Sequence, residues 1–380
     1  FDAEGDEVGL RRATRMGMWL SMGFAVLALP LMIWSRPIMA LMGQDQALAD
    51  MVDGYLFIAA WGILPALLVM VLKSYLAALE RTQVVLWITL LAAVINAMAN
   101  YALIFGNWGA PELGVRGAAI ASVTSHSVSL VAVVIYVLWK MPQHQMFVRL
   151  WRPDWEMLAR VFRLGLPIGF TGLSEVGLFA ASAVMMGWLG TVALAAHGIA
   201  LQLASITFMV HLGISNVATI RAGNAYGRRD PAHLARGAIT ATVMSALVAV
   251  LTIFVFVMWP EPLINLFMQR DEPARDQILV IGVGLLAMAS LFQLVDGAQA
   301  VALGILRGVQ DTTVPMILAG FSYWIVGMPV SYLLGFVFDL KGVGVWLGLV
   351  FGLGVAAILL NARFWGSVLK RLGPTDPAAA

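Results

Sequence analysis

Ten long apolar runs, joined by loops too short to hold a soluble domain, leave this chain few ways to fold. A helix needs about 20 mostly apolar residues to cross a hydrocarbon core near ~30 Å thick. Apolar stretches bounded by charges, Pro or Gly clusters lie at Met16–Trp34, Met51–Leu72, Val84–Phe105, Ala118–Trp139, Val161–Trp188, Val192–Thr219, Ala235–Trp259, Ile278–Leu303, Thr313–Phe338 and Val343–Trp365. Composition agrees: 61% of residues are hydrophobic and 12% charged, against about 25% charged in an ordinary soluble domain. These runs predict an all-α polytopic membrane protein with about 10 transmembrane helices.

Lys and Arg are retained on the cytoplasmic side of a membrane, so their placing sets orientation. All but five of the 23 fall in one set of alternate loops; the other set holds Arg36, Arg116, Arg270, Arg275 and Lys341. Both termini are therefore expected in the cytoplasm, with the chain in the cell inner membrane. A net charge of +2 points to no nucleic-acid partner. The absence of cysteine excludes disulfides, thiolate metal sites and thiol catalysis.

Two stretches read as copies. Leu10–Gly17 enters its helix as Asp230–Gly237 enters another, and Trp34-Ser-Arg-Pro37 resembles Trp259-Pro-Glu-Pro262. Glu112–Gly117 parallels Leu340–Trp346 further on. The copies define an N-terminal bundle over 1–150, with four of six helices present, and a C-terminal six-helix bundle over 151–380. Two helices are then expected ahead of Phe1, in keeping with the lack of an initiator methionine. Parallel repeats of this kind build transporters whose halves rock about a central site.

Polar residues inside such runs are the candidates for chemistry. Glu175 and Asp296 each stand alone, with no other acid or base for about ten residues on either side; an ionised group at that depth costs roughly 2.5–3.5 kcal/mol on insertion scales. At helical spacing Glu175 shares a face with Thr171 and Ser182, two turns beyond Pro167, whose missing N–H frees a carbonyl. Asp296 has Gln293 and Gln299 a turn to either side, with Ser290 nearby. These carboxylates either bind a cation or proton together, or are two separate acids, each satisfied by local partners. Asn96 and Asn100, one turn apart, are either cavity residues or interhelical glue. His197 and His211 could relay protons but are expected to be structural, and Lys73 to snorkel. The pairs Gly165/Gly169 and Gly348/Gly352 permit close helix approach. No zinc spacing, nucleophile elbow or phosphate loop occurs, so no enzyme is expected.

In order along the chain, Gly165-Leu-Pro-Ile168 with Glu175, Leu194-Ala-Ala-His197, Leu212-Gly-Ile-Ser215, Val295-Asp296-Gly297, Leu306-Arg-Gly308 with Asp311-Thr312 and Pro315, and Trp346-Leu-Gly348 resemble the multidrug and toxic compound extrusion family, in its NorM-like branch. That resemblance implies two six-helix bundles around a central cavity and export of cationic amphipathic drugs or toxins in exchange for Na⁺ or H⁺, with no other cofactor. It also implies a cation site on the residues matching Glu175 and Asp296, and cavity positions matching Asn96 and Asn100. Thr171, Gln293 and Gln299 join these as candidates for the cavity. The lipid bilayer is the expected setting and a monomer the expected state. Two alternatives are a lipid-linked saccharide flippase of the same superfamily, which would favour a basic cavity, and a membrane scaffold or receptor that transports nothing.

Overall fold

Ten helices long and apolar enough to cross a membrane run through the computed structural model, which describes residues 6–41, 46–268 and 271–372. They are α1 (Glu7–Ile33), α2 (Gln46–Ala78), α3 (Thr82–Phe105), α4 (Val115–Lys140), α5 (Trp155–Trp188), α6 (Thr191–Gly227), α7 (Pro231–Met258), α8 (Arg275–Gly308), α9 (Thr313–Val337) and α10 (Lys341–Arg371). No strand occurs among the described residues. Arg270 and the first five residues, on which part of the charge and N-terminal reading rests, lie outside them.

Several helices outrun their apolar stretch: α1 starts at Glu7 and α5 at Trp155. A helix satisfies its own backbone whatever side chains it carries, so it continues into polar sequence until a cap ends it. Asp6 caps α1 by accepting the Gly9 N–H at 2.7 Å, and Asp230 caps α7 by accepting that of His233 at 2.9 Å. At the other end, Glu80, Arg229 and Gln310 take positive φ and close α2, α6 and α8. The next N–H then reaches back five residues, as from Asp311 to the Leu306 carbonyl at 3.0 Å.

The chain divides into Phe1–Arg163 and Leu164–Ala380, the boundary falling inside α5. Each unit contains a long helix ended by a tryptophan and followed by a short one: α1, Trp34 and Ser35–Leu41 in the first, α7, Trp259 and Pro260–Asn265 in the second. In the first unit, α1 holds the loop that precedes α5. Arg12 pairs with Asp154, Arg15 Nε donates to the Met146 carbonyl at 2.8 Å, and Trp19 Nε1 to that of Leu150 at 2.8 Å. Asp154 also caps α5 through the Met157 N–H at 3.1 Å.

In the second unit α8 lies against α6 with backbones nearly touching. A Cβ on Gly297 would stand 2.7 Å from His211 Nδ1 and from Ser245 Oγ, and one on Gly304 would stand 2.5 Å from the Ser215 carbonyl oxygen; Gly308 is as tight against the Thr219 carbonyl. Three side chains bridge the seam: Gln293 Nε2 donates to the Ala204 carbonyl (3.2 Å), Ser215 Oγ to that of Ala300 (2.6 Å) and Thr219 Oγ1 to that of Gly304 (2.8 Å). Both partner series ascend together, so α6 and α8 run parallel. On α10, Gly344, Gly348 and Gly352 pack against Leu334, Ser331 and Gly327 of α9. Gly348/Gly352 thus meet the close-approach expectation. Gly165 and Gly169 do not: a Cβ on either would meet nothing within 4 Å. Helix α9 carries two π-helical stretches, Ser322–Gly327 and Leu333–Val337, where the usual i→i−4 register is broken.

Glycine in a helix interior ordinarily costs roughly 0.5–1 kcal/mol relative to alanine. Gly165→Ala is therefore expected to be neutral or stabilising, whereas Gly304→Ala must push the Ser215 backbone away at roughly 1–3 kcal/mol. Thermal unfolding of the two variants in detergent, with a drop for Gly304→Ala alone, checks the seam.

The Arg12 guanidinium holds the Asp154 carboxyl below its ordinary value of 3.8. Because the folded value is depressed, this contribution is present above the ordinary value and lost as pH falls through the folded one. Asp154→Asn keeps the cap and removes the charge. It is expected to cost about 0.2–1 kcal/mol at neutral pH, as exposed pairs do, and the difference in unfolding temperature from wild type is expected to vanish on acidification below the carboxylate range.

Candidate ion-binding site

Glu175 on α5 and Asp296 on α8 open onto one cavity of about 380 Å³. Its wall comes from three helices: Gly172, Val176 and Phe179 of α5, Leu201, Ala204, Ser205 and Phe208 of α6, and Phe292 of α8 complete it with the two acids. Three phenylalanines, Phe179, Phe208 and Phe292, stand in the wall, and Phe179 meets Phe292 edge to face at 5.9 Å. The close seam between α6 and α8 sets the depth of Asp296, since Gly297 is the next residue.

Asp296 is only 2% exposed, and its Oδ1 has no hydrogen-bond partner. Gln293 Oε1 and Gln299 Oε1, three residues to either side on α8, are also buried and unpartnered. All three are oxygens that accept, so this side of α8 can take a hydrogen-bond donor or a hard cation. Glu175 is half-buried. Arg307 and Gln299 are its electrostatic neighbours, and Glu175 in turn acts on Asp296 through charge.

The remaining expected residues are placed differently. Thr171 is buried, turns its hydroxyl back to the Pro167 carbonyl at 2.9 Å, and does not line the cavity. Gln293 and Gln299 are buried and do not line the cavity, and the Gln293 amide donates to the Ala204 carbonyl. Asn96 and Asn100 belong to the first unit and hydrogen-bond each other at 2.9 Å, with Asn100 Oδ1 unpartnered. Ser182, expected on the Glu175 face, belongs to another chain of bonds. Trp346 Nε1 donates to His197 Nδ1 at 3.0 Å, His197 Nε2 lies 3.4 Å from Ser182 Oγ, and Ser182 donates to the Phe179 carbonyl at 2.8 Å. An indole only donates, so Nδ1 keeps its lone pair and the proton sits on Nε2. That tautomer ties α10, α6 and α5 together and makes His197 structural. His211 is bonded to Ser245 of α7 at 2.8 Å.

Two residues near the acids were not singled out by sequence. Arg307 reads there as a loop charge, yet it occupies the last turn of α8 and acts on Glu175. Tyr323 of α9 is fully buried with its hydroxyl unpartnered, and it interacts electrostatically with Glu175, Asp296 and Arg307. Next to it, Trp324 Nε1 donates to Ser174 Oγ at 2.9 Å, and a Cβ on Gly177 would stand 2.9 Å from the Trp324 ring. Both aromatics lie in a π-helical stretch, which shifts their direction away from that given by simple helical periodicity. Only the Gly320, Gly327 and Pro329 interruptions hint at it in sequence.

Comparison with known proteins agrees with the fold. The family model MatE matches residues 3–102 and 167–333. The chain is 42% identical over 378 residues to a probable multidrug resistance protein NorM of Rhizobium meliloti (strain 1021), covering 99% of this chain and 80% of that one. It is also 42% identical over 363 residues to a protein of the same name from Agrobacterium fabrum, covering 95% and 78%. Among solved structures, the eukaryotic MATE transporter AtDTX14 superposes with a TM-score of 0.85 at 18% identity, over 98% of this chain and 81% of that one. A MATE structure in a straight conformation gives 0.83 at 19%, over 97% and 85%.

Proposed function

The chain belongs to the MatE family, in its NorM-like branch, and from that premise we propose that it exports cationic amphipathic compounds across the bacterial inner membrane in exchange for Na⁺ or H⁺. The carrying observation is that Glu175 and Asp296 open onto the same cavity. Two acids in one low-dielectric space are stable when a proton or a cation neutralises them, and competition between the coupling ion and a cationic substrate converts binding into exchange. The buried acceptors Asp296 Oδ1, Gln293 Oε1 and Gln299 Oε1 suit either ion. The aromatic wall of Phe179, Phe208 and Phe292 suits a flat organic cation, whose charge is attracted to ring faces.

Ion binding favours one arrangement of the two halves and substrate binding the other, in a monomer with both termini in the cytoplasm. One net charge moving across 100 mV supplies about 2.3 kcal/mol; a one-for-one exchange of single charges moves none and runs on the concentration gradient of the coupling ion, so the potential contributes only where more positive charge enters than leaves. A flippase for lipid-linked saccharides calls for a basic cavity; among the described residues this wall carries two acids and no base.

The test is efflux of a fluorescent organic cation from vesicles holding the reconstituted protein, with a Na⁺ or a proton gradient imposed separately. Glu175→Gln and Asp296→Asn are each expected to lower gradient-coupled efflux about tenfold or more, the effect of about 1.4 kcal/mol at one anionic ligand. Coupled efflux at the wild-type rate in both variants would contradict the proposed role of the two acids, and no gradient-coupled efflux by the wild-type protein would leave the scaffold reading standing.

A further inference from the structure

A second cavity, of about 750 Å³, lies between α6 and α7 and contains neither carboxylate. Its lining is graded. At the end where the two helices turn into each other stand Arg221, His233 and Arg236; away from it come Ile214, Val217 and Met244. On α6 the wall residues Val210, Ile214, Val217 and Arg221 follow helical spacing, and on α7 His233, Arg236, Thr240 and Met244 do the same. Each stripe spans eleven residue steps, or about 16 Å. That is about half of a ~30 Å hydrocarbon core, the depth of one leaflet.

Two glycines open the groove: a Cβ on Gly213 or Gly237 would meet nothing within 4 Å. Among the described residues neither arginine faces a carboxylate within ion-pair distance. Arg236 donates only a long 3.4 Å bond to the Ala232 carbonyl of its own helix, and the nearby Asp230 is engaged as the α7 cap.

We propose that this groove binds one anionic phospholipid of the leaflet on the basic side. The lipid phosphate sits on Arg221, Arg236 and His233, and one acyl chain lies along Val217, Ile214 and Met244. Two guanidiniums without an acid match a phosphodiester, and an apolar channel one leaflet long matches the chain below it. Basic pockets between membrane helices hold acidic headgroups by the same electrostatics. A zwitterionic lipid would fill the channel but gain much less from the arginines.

The test incubates the full chain with mixed phosphatidylcholine and phosphatidylglycerol vesicles, extracts it in detergent, and reads retained lipid by native mass spectrometry. Wild type is expected to retain one phosphatidylglycerol in preference to phosphatidylcholine. Arg221→Gln with Arg236→Gln is expected to weaken that retention roughly fivefold per arginine, about thirtyfold together. Gly237→Leu, which fills the channel and keeps the charges, is expected to displace the lipid as well. Lys370→Gln with Arg371→Gln, which removes two exposed charges from α10, is expected to change nothing.

Undiminished retention in the Arg221/Arg236 variant overturns the proposal, as does equal loss in the Lys370/Arg371 variant, which would mean diffuse attraction. Full displacement by soluble glycerol phosphate with no effect of Gly237→Leu would reduce the groove to a phosphate site and overturn it too. Should the double arginine variant fail to fold, Gly237→Leu and the competition still decide the matter.

Discussion

The close approach of α8 to α6 is the contact on which the second unit depends. Membrane helices gain little from hiding apolar surface, because lipid is as apolar as they are; they associate by packing and by interhelical hydrogen bonds. Gly297, Gly304 and Gly308 remove the side chains that would hold the two backbones apart, and Gln293, Ser215 and Thr219 then reach carbonyls across the gap. The same economy recurs between α10 and α9, where Gly344, Gly348 and Gly352 admit the backbone of the facing helix. Asp296, next to Gly297, owes its depth to this seam. It is buried beside a structural contact and left with an oxygen that has no donor.

The arrangement separates polar groups that are satisfied from those that are not. The run from Trp346 through His197 and Ser182 ends on the Phe179 carbonyl and fastens three helices. Trp346 also packs edge-on against Phe292, a wall residue of the acidic cavity, so this fastening holds one side of the site in place. By contrast the oxygens of Gln293, Asp296 and Gln299 and the Tyr323 hydroxyl remain open. In a medium where an unmade hydrogen bond is expensive, these open groups around Asp296 are what the proposed site rests on.

The fold was legible because hydrocarbon thickness imposes a length on each apolar run. The ends of α3 at Phe105 and α5 at Trp188 coincide with the ends of their apolar runs, since both lie where the apolar sequence stops. The start of α1 was missed by nine residues because Arg11, Arg12 and Arg15 read as loop while forming helix. The motifs behind the family resemblance turn out to be contact points: His197 with Trp346, Ser215 with Ala300, and Asp311 with Arg363 at 2.9 Å. Glu175 and Asp296 stood out in sequence by isolation alone, and the structure brings both onto one cavity. Thr171 was misplaced, because a hydroxyl on the right face can still turn back to its own helix. Gly165 and Gly169 were misread because sequence shows a missing side chain and not the partner that would use the space. Tyr323 was invisible because a π-turn changes the direction in which a residue points without changing the composition around it.

The central claim is that Glu175 and Asp296 form one ion site and not two. A double-mutant cycle on ion-dependent stabilisation tests it most directly: unfolding temperature is followed against Na⁺ concentration and, separately, against pH for wild type, Glu175→Gln, Asp296→Asn and the double variant. Binding to the folded state raises stability by mass action, and groups sharing one site give strongly non-additive losses. A shared site predicts that each single variant loses as much ion-dependent stabilisation as the double. Losses that add, or stabilisation that survives in the double variant, would contradict it.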